Sequence, residues 1–249
     1  MHLPFPQKTF WRLAVLSVGG LLLTLFIPLP ANPAPETVRL PAALFMVGLG
    51  LVLLMRAIER RRRLYEAVAI ELNKLRRVYH ISKNMSSFDE RLRVWFTELH
   101  GYLYGYLNSF ANKDLSQYEF SHTDFRRLSY HIYTVPELNS VKEEVLYRDL
   151  LRTTAEIAEL RQHVLETRDS RLSAYGWTVF LMSVLTFFVA VVASTPDGMV
   201  GRLVSGTVIV GALLLVDLLW EIDSLQSERY VFPQRYVENV ARLELRREP

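Results

Sequence analysis

The sequence contains no cysteine, which removes disulfides, thiolate nucleophiles and thiolate-bound zinc from any explanation of its fold or chemistry, without assigning a compartment. It also lacks a Walker A loop, a Gly-x-Ser-x-Gly elbow and a His-Glu-x-x-His pair. The phosphate cradle, the hydrolase nucleophile and the metalloprotease site built on those spacings therefore have no foothold. No catalytic residue and no cofactor is implied. Net charge is small as well, +3 from 29 Lys and Arg against 26 Asp and Glu. The basic residues also cluster beside apolar runs, so they argue for membrane topology rather than for a nucleic-acid partner.

What the sequence does have is hydrophobic mass, half of its residues, gathered into four dense blocks between strongly charged segments. Leu13 to Leu29 carries no charge and follows Arg12 and Trp11, a length that crosses a hydrocarbon core of about 30 Å with slight tilt. A cleaved signal peptide is the competing reading, but Leu29 and the surrounding prolines make a poor small-x-small cleavage site. Pro30, Pro33, Pro35 and Pro41 punctuate a short connector, and a second span runs from about Pro41 to Arg56, whose guanidinium is placed to snorkel toward headgroups. A third span covers Ala174 to Ala193, with Tyr175 and Trp177 at its interface. Thr195-Pro196-Asp197-Gly198 then reads as a turn, and a fourth span ends near Trp220.

Between the second and third spans, residues 58–173 hold no apolar run long enough to cross. Leu64, Val68, Leu72, Leu75 and Tyr79 recur at helical spacing as a stripe continuing from the second span. Ser87 followed by Glu90 reads as an N-cap with its capping-box partner, opening a helix rich in aromatics: Trp95, Phe96, Tyr102, Tyr104, Tyr106 and Phe110. Those rings read as core, and Gly101 and Gly105 as a site of close helix approach. A further segment from Ser116 to Tyr133 is closed by Pro136. From about Asn139 a long helix carries Leu146, Leu150, Ile157, Leu160 and Val164 at near-heptad spacing, the pattern of a coiled coil, with no clear breaker before the third span. After Pro233, Tyr236, Val240 and Leu243 share one face of a tail helix suited to packing on the helical block or on the membrane surface.

The expected architecture is thus an all-α integral membrane protein with four transmembrane helices in two hairpins and a helical cytosolic domain between spans 2 and 3. Residues 1–57 form the first hairpin (spans 13–29 and 41–56), 58–173 the cytosolic domain, 174–220 the second hairpin (spans 174–193 and 200–220) and 221–249 a cytosolic tail. Lys8, Arg12, Arg56, Arg60, Arg61, Arg62, Arg63, Arg168, Arg171 and Arg229 lie on one side, and only Arg39 and Arg202 on the other. The positive-inside rule therefore puts both termini and the middle block in the cytosol of a bacterial inner membrane. Arg60, Arg61, Arg62 and Arg63 also suit anionic lipid headgroups, each contributing about 1 kcal/mol near the surface.

Asp217 is the one acid inside an apolar span, a functional-site hypothesis by default. The expectation is an ion pair with Arg56 or Arg168, with a gate as the sharper alternative. Glu156, Glu159 and His163 share a helical face, but a single helix does not close a metal's coordination shell, and a solvated face or an i,i+4 pair is the simpler reading. Gly48 with Gly50, and Gly201 with Ser205, read as close-packing positions between spans.

Two spans, a helical block and two further spans resemble the bacterial bestrophin-like four-transmembrane family of unknown function. The similarity is clearest at Arg168-Asp169-Ser170-Arg171-Leu172 entering the third span, and at Leu218-Leu219-Trp220-Glu221-Ile222-Asp223 ending the fourth. It implies a homo-oligomeric, ion-channel-like assembly, and no pore residue carries over. Read without that resemblance, the same layout suits a membrane-anchored scaffold or signalling subunit that binds a cytosolic protein partner through residues 58–173.

Overall fold

Long segments of Leu, Ala, Arg and Glu, all strong helix formers, are separated by short polar or Pro-containing joints, and the chain folds accordingly. The computed structural model describes residues 7–27, 29–30, 33–110, 115–196, 198–226 and 228–244, and among these every regular element is helical. The α-helices are α1 (Gln7–Phe26), α2 (Arg39–Met85), α3 (Glu90–Asn108), α4 (His122–Tyr133), α5 (Val141–Asp169), α6 (Ala174–Ala193), α7 (Met199–Asp223) and α8 (Glu228–Glu244). Short 3₁₀ turns lie at Glu36–Val38 and Leu115–Ser121. The chain forms two compact units, one from residues 1–59 with 171–224 and the other from 60–170 with 225–249. The C-terminal helix thus belongs to the second unit, and α2 contributes to both.

The first unit is inside-out in composition. Phe180, Leu219, Ile209 and Val191 are buried in its interior, yet Phe26, Leu44, Phe45, Met55, Leu185, Val189, Val200 and Val204 are exposed. Water would penalise that much apolar surface, whereas hydrocarbon accepts it. Among the described residues, three helices are long and apolar enough to cross a membrane: Arg39–Met85, the Val141–Ala193 stretch that holds α6, and Met199–Asp223. The apolar part of α1, Trp11–Phe26, is shorter.

Close packing in this unit is set by glycine, at Gly50 as expected and at two positions that were not, Gly20 and Gly206. A Cβ on Gly206 would lie 2.7 Å from Thr24 Oγ1 and 3.0 Å from Leu21 Cδ2, and one on Gly20 would lie 2.8 Å from Val210 Cγ2. These two glycines let α1 lie directly against α7. Gly50 does the same for α2, since a Cβ there would meet Leu215 and Phe180 at 3.0 and 3.2 Å, whereas Gly48 faces open space and Gly201 faces its own turn at Pro196. Ser205 instead shares a hydrogen bond with Thr195 at 2.6 Å. Gly198 begins α7 at φ 143°, a conformation that only glycine adopts cheaply.

The second unit is a helical body with a conventional core. The stripe Leu64, Val68, Leu72, Leu75 and Tyr79 is buried against Trp95, Leu99, Leu103, Tyr106, Leu128, Ile132 and Phe232. The near-heptad residues Leu150, Ile157 and Val164 belong to this same core, so the stripe is satisfied within the chain rather than held out for a coiled-coil partner. Gly101 and Gly105 face open space, and Tyr102 and Tyr104 are exposed, which corrects the expected close approach on that face. The tail helix α8 packs on the body through Phe232, Tyr236 and Val240. It carries Pro233 inside its span, and the side chain of Leu243 lies outside the described residues.

Three boundaries are set by their caps, one of them at a residue other than the expected one. Asp89, not Ser87, caps α3: its backbone is extended and its carboxylate accepts from Arg91 N at 3.2 Å, while the Ser87 hydroxyl donates back to the Asn84 carbonyl. Ser140 caps α5 by accepting from Glu143 N at 3.3 Å, and Glu143 reaches back to Asn139 N at 2.6 Å, a capping-box exchange displaced by one residue. Finally, α5 and α6 are not one rod. The Ser170 N–H closes α5 on the Glu166 carbonyl, residues 170–173 run outside helix, and Ser173 caps α6 by accepting from Gly176 N at 3.1 Å.

Candidate functional site

Each unit holds a polar constellation set among apolar side chains. In the first unit, α1 and α7 lie close enough for Arg12 to reach across. Arg12 Nη2 donates to Asp217 Oδ2 at 2.9 Å and to Glu221 Oε2 at 2.8 Å, and its Nε lies 2.9 Å from Asp217 Oδ1. Asp217 and Glu221 are one helical turn apart, so a single guanidinium fork serves both carboxylates. This corrects the expected partner of Asp217: Arg56 is exposed and Arg168 pairs with its neighbour Asp169 at 2.8 Å. Close approach of α1, enabled by Gly20 and Gly206, is what brings Arg12 there, and the apolar pattern of α1 alone gave no sign of it. One Arg and two carboxylates leave the trio with a formal charge of −1.

A groove of about 360 Å³ opens beside this trio, lined by Leu16, Trp177, Leu181, Leu213, Asp217 and Trp220 among others. Asp223, buried at the end of α7, accepts from Leu172 N at 3.0 Å and from Trp177 Nε1 at 3.1 Å. It thereby fixes the start of α6 and orients one indole, whose ring meets that of Trp220 edge-on at 5.7 Å.

At the other end of these helices, Arg39 at the start of α2 and Arg202 in the first turn of α7 cap the C-termini of neighbouring helices. Arg39 donates to the carbonyl and hydroxyl of Ser194 and, at 3.3 Å, to Thr195 Oγ1. Arg202 donates to the Leu25 carbonyl at 2.7 Å. A cation on the last carbonyls of a helix satisfies orphan acceptors and complements the macrodipole.

In the helical body the constellation is fully buried and was not foreseen. Glu71 sits mid-α2, surrounded by three phenols: Tyr106 donates to its Oε1, Tyr118 to Oε2 at 2.7 Å and Tyr236 to Oε2 at 2.8 Å. Arg161 from α5 donates to the Tyr106 hydroxyl and, at 2.9 Å, to Ser121 Oγ, with Nη1 3.8 Å from Glu71 Oε1. Its guanidinium also lies 4.8 to 5.1 Å from the ring centres of Phe125, Tyr118 and Tyr106. Burial, then the Glu71 carboxylate beside them, pushes the phenols of Tyr106, Tyr118 and Tyr236 well above their ordinary pKa. A lone Glu on an apolar stripe is the one sequence signal that pointed here, because a carboxylate facing a core requires partners.

The basic run divides. Arg60 is buried, donating from Nε to the Thr167 carbonyl at 2.9 Å and from Nη2 to the Arg168 carbonyl at 2.5 Å. It therefore holds the C-terminus of α5, with its side chain buried there rather than exposed. Arg62 and Arg63 are exposed and Arg61 is half-buried; Arg62 pairs with Glu66 one turn on at 3.2 Å, and Arg61 lies 5.8 Å from the Tyr65 ring centre.

On α5, Glu156 pairs with Lys74, whose hydrogen bond holds that carboxyl below its usual range, while Glu159 and His163 face outward. Among the described residues no group of three or more His, Asp or Glu is gathered as a metal would need. Comparison with protein-family models, with curated proteins and with solved structures finds no match.

Proposed function

We propose that this is a multi-pass membrane protein whose apolar helices α1, α2, α6 and α7 anchor a cytosolic helical body, and that the body works by binding another protein. The carrying observation is how the polar groups are distributed. In the first unit they are consumed locally, with Arg12 on Asp217 and Glu221, Arg39 on Ser194 and Arg202 on the end of α1. A single copy thus offers an anchor rather than a polar path. The body, by contrast, leaves apolar side chains outside a completed core. Val141 and Val145 are exposed one turn apart at the start of α5, and Tyr130 and Tyr133 are exposed at the end of α4. Exposed apolar side chains of this kind, on a rigid helical scaffold, are a common basis for protein recognition.

The positive-inside balance supports a bacterial inner-membrane location with both termini and the body in the cytosol. Site-specific photo-crosslinkers at Tyr133 and Val145 of the full-length chain in cells test the reading. Discrete adducts at these positions, absent from crosslinkers at Arg152, are expected. Identical patterns at all three positions would sink it.

A second reading, the homo-oligomeric channel implied by the bestrophin-like resemblance, is favoured by one observation: an Arg–Asp–Glu trio inside the apolar unit, the kind of intramembrane charge that marks ion pathways. Planar-bilayer recording from reconstituted protein decides between the two. Silence across anions and cations is expected of the anchor, and unitary conductance abolished by Asp217→Asn would replace it with the channel.

A further inference from the structure

We infer that the groove beside the Arg12–Asp217–Glu221 trio is a binding site for a phospholipid whose headgroup carries a primary ammonium. The inference rests on the reading of the first unit as membrane-embedded. Within it, three independent features converge. The walls contributed by Leu16, Leu181 and Leu213 are apolar, and the groove of about 360 Å³ is within the range of small-ligand sites, room for a headgroup with the upper part of a chain. Two indoles, Trp177 and Trp220, border it, the residue type that sits at headgroup depth and presents an electron-rich face to a cation.

The third feature is charge. Asp217 lines the groove directly, and the trio to which it belongs holds two carboxylates against one guanidinium. The residual charge of −1 repels a headgroup of net negative charge, such as phosphoglycerol, and attracts the ammonium end of a zwitterionic one. Carboxylate oxygens have lone pairs to offer and need N–H donors. A primary ammonium supplies three; a quaternary ammonium supplies none. The site therefore discriminates both by sign and by hydrogen bonding, favouring a phosphatidylethanolamine-type lipid over glycerol and choline headgroups. This preference is distinct from any attraction of Arg61, Arg62 and Arg63 to anionic lipid, and opposite in sign.

The test uses the full-length chain in nanodiscs containing equal parts of ethanolamine, glycerol and choline phospholipids of identical acyl chains, followed by gentle release into detergent and native mass spectrometry of retained lipid. Wild type should retain the ethanolamine lipid preferentially. Glu221→Gln removes the residual charge while keeping the two-point Arg12–Asp217 pair, and should lower that preference by about tenfold, the loss expected for one charge-assisted hydrogen bond. Leu181→Trp, which narrows the groove from α6 and lies outside the α1–α7 contact that places Arg12, should lower total retained lipid. Equal retention of the three headgroups by wild type, preference for the glycerol lipid, or an unchanged preference in Glu221→Gln would overturn the inference. Failure of the chain to enter nanodiscs at all would instead overturn the membrane reading beneath it.

Discussion

Glu71 and Arg161 show what a buried polar pair demands of its neighbours. Removing one member leaves the other charge in an apolar core, at a cost of about 3–5 kcal/mol, so Glu71→Ala should lower the denaturation midpoint of the full chain sharply. Glu71→Leu combined with Arg161→Leu should recover much of that loss, and additive losses in the double variant would show that the two residues do not act as a pair. The three phenols predict a pH dependence whose sign is fixed. Their pKa is raised on folding by burial and by Glu71, so the folded state holds protons that the unfolded chain releases near pH 10. Their contribution is fully present below that pH and is lost as pH rises through the folded values. Spectroscopic titration of phenolate should show the exposed tyrosines ionising first and these three only together with unfolding; ionisation of all twelve tyrosines in one non-cooperative step would contradict this. Sequence reading placed Tyr106 in the core and Tyr236 on the packing face of the tail helix, without choosing between the body and the membrane surface, and it treated both as apolar, because a phenol's hydroxyl announces no partner until the partner's position is known.

At the level of elements, periodicity proved a good guide to which face of each helix is buried and a poor guide to what that face meets. The stripe from Leu64 to Tyr79 was legible because i, i+3, i+4 spacing maps directly onto one side of a helix. The near-heptad pattern on α5 was equally legible as a stripe, yet spacing alone does not distinguish a partner chain from the body's own core, and the core is where Leu150, Ile157 and Val164 lie. Glycine pairs were misleading for a related reason. Gly101 and Gly105 share a face and meet nothing, while the close contact of α1 with α7 rests on Gly20 and Gly206, which lie on different helices far apart in sequence. Gly206→Leu should therefore separate α1 from α7 and break the reach of Arg12 to Asp217. A disulfide engineered between residues 20 and 210, which face each other across the same contact, should form readily with Gly206 and poorly in Gly206→Leu. By contrast, Gly101→Ala should leave stability unchanged or slightly raised, since alanine is the better helix former by about 1 kcal/mol. A loss of a kilocalorie or more there would mean that this face is packed after all.

For the molecule as a whole, composition made the helical class and the apolar spans legible, because a dense hydrophobic block needs no partner to be recognised. The division of labour between the two units was less so. The assignment of α8 to the helical body depends on Tyr236 reaching Glu71 across a separation of 165 residues, and Arg60 left the basic run to hold the end of α5, which no local pattern encodes. The membrane arrangement proposed for these units yields one decisive observation, and the absence of cysteine makes it clean, since any thiol introduced is the only one present. Single cysteines at Pro35 and Met199, in or beside the two connectors, and at Ser87 and Glu137, in the body, can be labelled with a membrane-impermeant maleimide in intact cells and again after lysis. Labelling of positions 35 and 199 in intact cells, with positions 87 and 137 protected until lysis, is the predicted result. Labelling of positions 87 and 137 in intact cells, or protection of 35 and 199, would contradict it.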